Sequence, residues 1–143
     1  MKGSFENYME ANSVADYLQW FKDDIDFDDL AIMSTLRTQV LVIKSVIQDV
    51  RKKELGAISK FNKIGSFEDF ISRRYKTIIV SLVRTKPFAE HGGPLMNSQA
   101  LIDYLKSRAA PGGKIVIISK EEALNDIWRN AFHSAPGVTF CEQ

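Results

Sequence analysis

Cysteine, histidine and charge of one sign are what this sequence has least of. A single cysteine, Cys141, among 143 residues excludes an intrachain disulfide and any cysteine-rich metal framework, as suits a reducing compartment. The two histidines, His91 and His133, have no serine, cysteine or carboxylate at triad-like or metal-ligand spacing, so both read as structural or surface residues. Nineteen basic residues against eighteen acidic ones leave a net charge of +1. That balance lacks the broad positive field of a strongly basic nucleic-acid-binding domain, and any nucleic-acid contact must be local. No apolar run approaches the ~20 residues of a membrane span, and Met1 to Asn12 hold no apolar signal core. The expectation is a soluble intracellular protein with no membrane contact. Nowhere is there a Gly-x-x-x-x-Gly-Lys-Ser/Thr loop, nor an Asp-Glu pair ending a strand ahead of the motifs described below. No metal or cofactor is expected.

What is present is a sequence 45% hydrophobic, enough for one globular domain that buries roughly 68% of its unfolded surface. Residues 1–12 read as a polar tail and 13–143 as the domain. Asn12 or Ser13 can cap a helix carrying Val14, Tyr17, Leu18 and Phe21. Leu30-Ala31-Ile32-Met33 reads as a short buried strand. Val40, Ile43, Val46, Ile47 and Val50 mark a second helix that ends near Arg51-Lys52-Lys53 and is stopped by Gly56. A weaker strand spans about 57–64, and Thr77 to Leu82, β-branched and apolar on both faces, is the best strand of the chain. A Pro- and Gly-rich loop from Thr85 to Met96 leads to a helix carrying Leu101, Ile102 and Leu105, closed by Pro111-Gly112-Gly113. Lys114 to Ile118 is a further buried strand, Glu121 to about His133 a helix, and Val138 to Cys141 a last strand. Repeated strand-then-helix order with apolar strands predicts a mostly parallel sheet of about five strands with helices on both faces, a three-layer α/β fold.

Several clusters invite a functional reading. Asp23, Asp24, Asp26, Asp28 and Asp29 could suggest Mg²⁺ or a phosphoacceptor pocket. They precede the strand at Leu30, however, whereas ligands of open parallel sheets gather at the carboxyl ends of strands, so a solvated acidic loop is expected. Arg73-Arg74-Tyr75-Lys76 combines charge with an aromatic ring, a pairing that can hold phosphate and stack a base; the favoured reading is a basic turn entering a buried strand, since so short a patch is common on neutral proteins. Trp20, Phe21, Trp128 and Phe132 fall on helix faces and are expected in the core, an exposed one being an interface anchor.

The stretch Ile64-Gly65-Ser66-Phe67-Glu68-Asp69-Phe70, followed by Ile71-Ser72-Arg73-Arg74 and by a strand ending Ser81-Leu82-Val83-Arg84, resembles motif V of superfamily 1 RNA helicases. The Armitage-type branch, relatives of the nonsense-mediated-decay helicase, is the most similar. Leu30 to Gln39 resembles motif IV, and Leu101 to Ala109 motif VI, so the resemblance to the second RecA-like domain (domain 2A) covers roughly Ser13 to Cys141. It implies a P-loop-NTPase-like fold. It also implies that Leu36, Gln39, Ile71 and Arg74 face a nucleotide, that Gly65, Ser66, Arg73, Arg74, Lys76 and Arg84 lie toward RNA, and that Arg108 stands where an arginine finger would be. Leu36 and Ile71 replace residues that stack or hydrogen-bond, Ser72 adds a side chain in place of a glycine, and Arg74 reverses a charge. The phosphate loop that a first motor domain would supply does not occur in these 143 residues, and no first motor domain is expected. The expectation is therefore a degenerate helicase domain that does not turn over ATP. It would serve as a protein-interaction module in RNA silencing or RNA granules, cytoplasmic or nuclear, with Leu36, Ile71, Arg74 and Arg108 together at the carboxyl ends of the strands as a protein-binding or self-association surface. The alternatives are the second half of a split motor and a weak residual RNA-binding domain.

Overall fold

The computed structural model describes residues 8–55, 63–82, 98–119 and 126–142. Five strands, β1 (Leu30–Ser34), β2 (Ile64–Ser66), β3 (Tyr75–Ser81), β4 (Ala109–Ser119) and β5 (Val138–Glu142), form one sheet in the order β2-β1-β3-β4-β5. Every pairing is parallel. Helices α1 (Tyr8–Trp20), α2 (Arg37–Ser45) and α3 (Lys52–Leu55) belong to one layer, α4 (Ser98–Arg108) and α5 (Asp126–Ser134) to the other. This is the expected three-layer α/β fold, consistent with a RecA-like domain.

The layers follow from strand alternation. Successive residues point to opposite faces, so Leu30, Ile32, Ile79, Val116 and Ile118 pack with Val14, Leu18, Ile43 and Ile47. Ala31, Met33, Ile78, Val80, Ile115 and Ile117 pack on the other face with Leu101, Leu105, Trp128 and Phe132. Because both faces are covered, the strands are almost uninterrupted apolar runs, as buried parallel strands are.

Four local details differ from the sequence reading. Tyr8 to Asn12 are helical, with Glu10 and Ala11 fully buried, so the polar tail does not reach Asn12. Gly65 and Ser66 are strand residues of β2, so this strand runs past the expected limit at Ile64; of the expected strand over 57–64, positions 57–62 lie outside the described residues. Pro111-Gly112-Gly113 does not end a helix. Helix α4 stops at Arg108, and those residues form a bulge inside β4, in which two steps along β3, Tyr75 to Thr77, face five along β4, Ala109 to Lys114. Gly112 sits there at φ 75°, and a Cβ on Gly113 would come within 2.8 Å of the Ala110 carbonyl oxygen. Finally, α2 passes into a π-turn over Val46–Val50, closed by Arg51 N–H donating to Val46 O at 2.7 Å. The Arg51 guanidinium then ties this end to α1 through Asp16 at 2.6 Å and Gln19 at 2.9 Å.

Candidate functional site

Parallel strands give the sheet two unlike edges. Ser34 and Ser81 pair in register, as do Tyr75 and Ala109, so Ser34, Ser66 and Ser81 mark the carboxyl edge. Tyr75 and Ala109, about 20 Å away along a seven-residue strand, mark the amino edge. Strand order reverses between β1 and β3, and in doubly wound sheets ligands settle in the crevice outside the carboxyl ends at that reversal.

Here the reversal point is closed by the chain itself. Ser81 Oγ donates to Glu10 Oε1 of α1 at 2.6 Å and accepts from Gln39 Nε2 of α2 at 3.1 Å, all three residues being fully buried. Ser34 Oγ donates to Ser81 O at 2.9 Å and accepts from the Leu36 amide at 3.3 Å. One strand over, Ser119 Oγ donates to Leu82 O at 2.9 Å. A buried carboxylate is costly unless its oxygens are hydrogen-bonded, and Ser81, at the end of an otherwise apolar strand, supplies one such bond. Gln39, expected to face a nucleotide, donates to Ser81. Leu36 follows at the same edge, partly buried.

The motif-V segment is also internally committed. Asp69 Oδ2 accepts from Ser66 N at 2.9 Å and from Ser66 Oγ at 3.1 Å, and the Asp69 amide donates in return to the Ser66 side chain, a capping box on the 3-10 turn Phe67–Phe70. A Cβ on Gly65 would stand 2.5 Å from that Asp69 oxygen. The glycine is thus required by a carboxylate of its own chain. The Ser66 hydroxyl, the Glu68 amide and the positive Arg37 side chain hold the Glu68 carboxyl below its ordinary value; the one Ser66 hydroxyl proton has Glu68 and Asp69 as competing acceptors. Tyr104 Oη donates to Phe67 O at 2.8 Å while the two rings stack at 5.3 Å.

Arg73, Arg74 and Lys76 lie at the amino edge, where they meet the acidic loop. Arg73 Nη1 bonds Asp29 Oδ1 at 2.7 Å, its Nη2 donates to Asp28 O at 3.2 Å, and its guanidinium lies 4.3 Å from the Tyr75 ring centre. Lys76 Nζ is 3.8 Å from Asp26 Oδ2. Burial pushes the Asp29 carboxyl up, but the Arg73 hydrogen bond, the Lys76 amide and both positive charges together hold it below its ordinary value. The two charge runs that are separate in the sequence therefore meet here through the Arg73–Asp29 and Lys76–Asp26 pairs. The exposed Arg74 side chain makes no hydrogen bond or ion pair among the described residues.

Arg108 Nη1 donates to Ile71 O at 2.8 Å and reaches Arg73 O at 3.4 Å. The expected assembly of Leu36, Ile71, Arg74 and Arg108 at the carboxyl edge is thus corrected. Arg108 immediately precedes Ala109 and Arg74 immediately precedes Tyr75, so these two are at the amino edge, Ile71 is joined to them through Arg108, and Leu36 stands apart. The expected RNA-facing set divides likewise, Gly65 and Ser66 from Arg73, Arg74 and Lys76, while Arg84 lies outside the described residues, as does His91. Trp128 and Phe132 are core residues, but Trp20 is 77% and Phe21 38% exposed, because α1 buries Ala11, Val14, Ala15 and Leu18 and turns Trp20 away. His133 rests edge-on against Phe140 at 5.1 Å.

Glu10 and Ser81 were missed as site residues although the sequence carries a signal. Glu10 stands four residues before Val14 and eight before Leu18, in the apolar stripe of α1, and Ser81 interrupts the apolar run of β3. No group of three His, Cys, Asp or Glu side chains among the described residues could hold a metal ion, and none of their helices is long and apolar enough to cross a membrane. No protein-family model matches the chain, and no curated protein is significantly similar to it.

Proposed function

We propose that this chain is a non-hydrolysing, helicase-derived α/β domain that binds protein partners through its amino edge. The observation that carries the reading is the use made of Arg108. An arginine finger acts by reaching a phosphate, whereas this guanidinium is hydrogen-bonded to the carbonyl of Ile71 and close to that of Arg73. It holds a loop in shape. That loop presents Ile71, 67% exposed, and the exposed Arg74, and Trp20, the last residue of α1, and Phe21, which follows it, are exposed where the chain leads into the same edge. Aromatic, aliphatic and arginine side chains of this kind are what interface cores are built from. The resemblance to Armitage-type helicases makes RNA-silencing or RNA-granule factors the partner class to examine first. The split-motor alternative would require Arg108 to abandon both carbonyls.

The test is a paired variant, Ile71→Asp with Arg74→Glu, compared with wild type for recovery of protein partners from native cells and for oligomeric mass. Both positions are exposed, so the fold is expected to persist. Loss of a specific partner, or of self-association, is the expected result; unchanged recovery and unchanged mass would refute the assignment.

A further inference from the structure

We infer that the crevice between the carboxyl ends of β1 and β3 is a carboxylate-binding site whose occupant in this structure is the protein's own Glu10. Three independent observations converge there. The sheet reverses its strand order at this point, the place where open α/β sheets bind ligands. A carboxyl group, brought by a helix outside the strand ladder, fills the place and is fully buried with a 2.6 Å hydrogen bond from Ser81. The hydroxyl that grips it is itself held by Gln39 Nε2 and by a strand end fixed through Ser34, so the donor is pre-oriented by β1, β3 and α2, none of which belongs to the element supplying the carboxylate. One residue beyond Ser34, Thr35 Oγ1 is buried without a hydrogen-bond partner. Buried hydroxyls nearly always find partners, and a spare donor at this edge is what a ligand with two oxygens could engage.

The site and its occupant are therefore separable. Ser81, Gln39 and Ser34 form the receptor, and Glu10, in the first described turn of α1, is a tethered ligand. A small free carboxylate and the Glu10 side chain are mutually exclusive occupants, which couples ligand binding at this edge to the docking of α1.

Chemical rescue tests this directly. Glu10→Ala removes one methylene and the carboxylate, a group matched by acetate. The thermal midpoint of Glu10→Ala should fall by about 5 °C or more and recover saturably on adding acetate at fixed ionic strength and pH 7. Chloride and the bulkier pivalate should not restore it, and wild type should show only the small general salt effect. Ser81→Ala in the Glu10→Ala background should abolish rescue. If Glu10→Ala is recovered unfolded, refolding yield in acetate against chloride reads the same question, with a higher yield in acetate expected. Equal effects of acetate and chloride, equal effects of acetate on wild type and variant, or rescue that survives Ser81→Ala would each overturn the proposal.

Discussion

Replacing Gly65 by alanine separates a structural glycine from one kept open for nucleic acid. The added Cβ would lie 2.5 Å from Asp69 Oδ2 and 3.0 Å from Asp69 Cβ. Rotating the carboxylate away relieves only the first contact, and it forfeits both hydrogen bonds to Ser66. Losing a cap of this kind costs about 1 kcal/mol, and forcing a methyl into a filled site adds about 1 kcal/mol or more. Gly65→Ala is therefore expected to destabilise the domain by about 2 kcal/mol. In an Asp69→Ala background the cap is already absent and the oxygen is gone, so the same substitution should cost less than about half as much, a coupling of about 1 kcal/mol. Urea unfolding of wild type, both single variants and the double variant measures this. Equal costs in the two backgrounds, or a Gly65→Ala protein as stable as wild type, would refute the argument and return Gly65 to the role of a backbone-approach residue.

Asp29 titrates below its ordinary value because Arg73 and Lys76 favour its charged form. Its contribution to stability is thus present above the unfolded carboxylate range and is lost as pH falls through the depressed folded value. Arg73→Ala should flatten that acid limb below about pH 4, read from unfolding midpoints across pH; an unchanged limb would contradict the pairing. With Arg73 and Lys76 already ion-paired, any RNA contact at this patch rests on Arg74, so Arg74→Ala should lower the slope of log affinity against log salt by only ~0.7. A fall of ~2 would show that all three cations meet phosphate. Burial pushes the Cys141 thiol up, so alkylation at pH 8 should be slow in the native protein and accelerate on unfolding; equal rates would contradict its placement.

The sheet was legible because β1, β3 and the second half of β4 are short apolar runs on both faces, the pattern of doubly covered parallel strands. Bulge geometry was not, because Pro111-Gly112-Gly113 suits a helix stop as well as an insertion facing Tyr75 to Thr77. Motif IV singled out Gln39 but gave no sign of its contact with Ser81. Its bond to Ser81 spans 42 residues and Ser81's bond to Glu10 spans 71, separations over which a linear pattern carries no pairing information. The same holds for Arg73 and Asp29, 44 residues apart, which stand in two separate charge runs of the sequence and meet in one ion pair.

Amide-resolved NMR titration with Mg·ATP, with and without single-stranded RNA, tests the central claim most directly, because the domain is proposed to work without nucleotide. No saturable shift is predicted at Ser34, Leu36, Gln39, Ser66 or Ser81, nor in the Arg108 side chain. Saturable shifts at these positions in the micromolar range, accompanied by release of phosphate that Arg108→Ala abolishes, would contradict it.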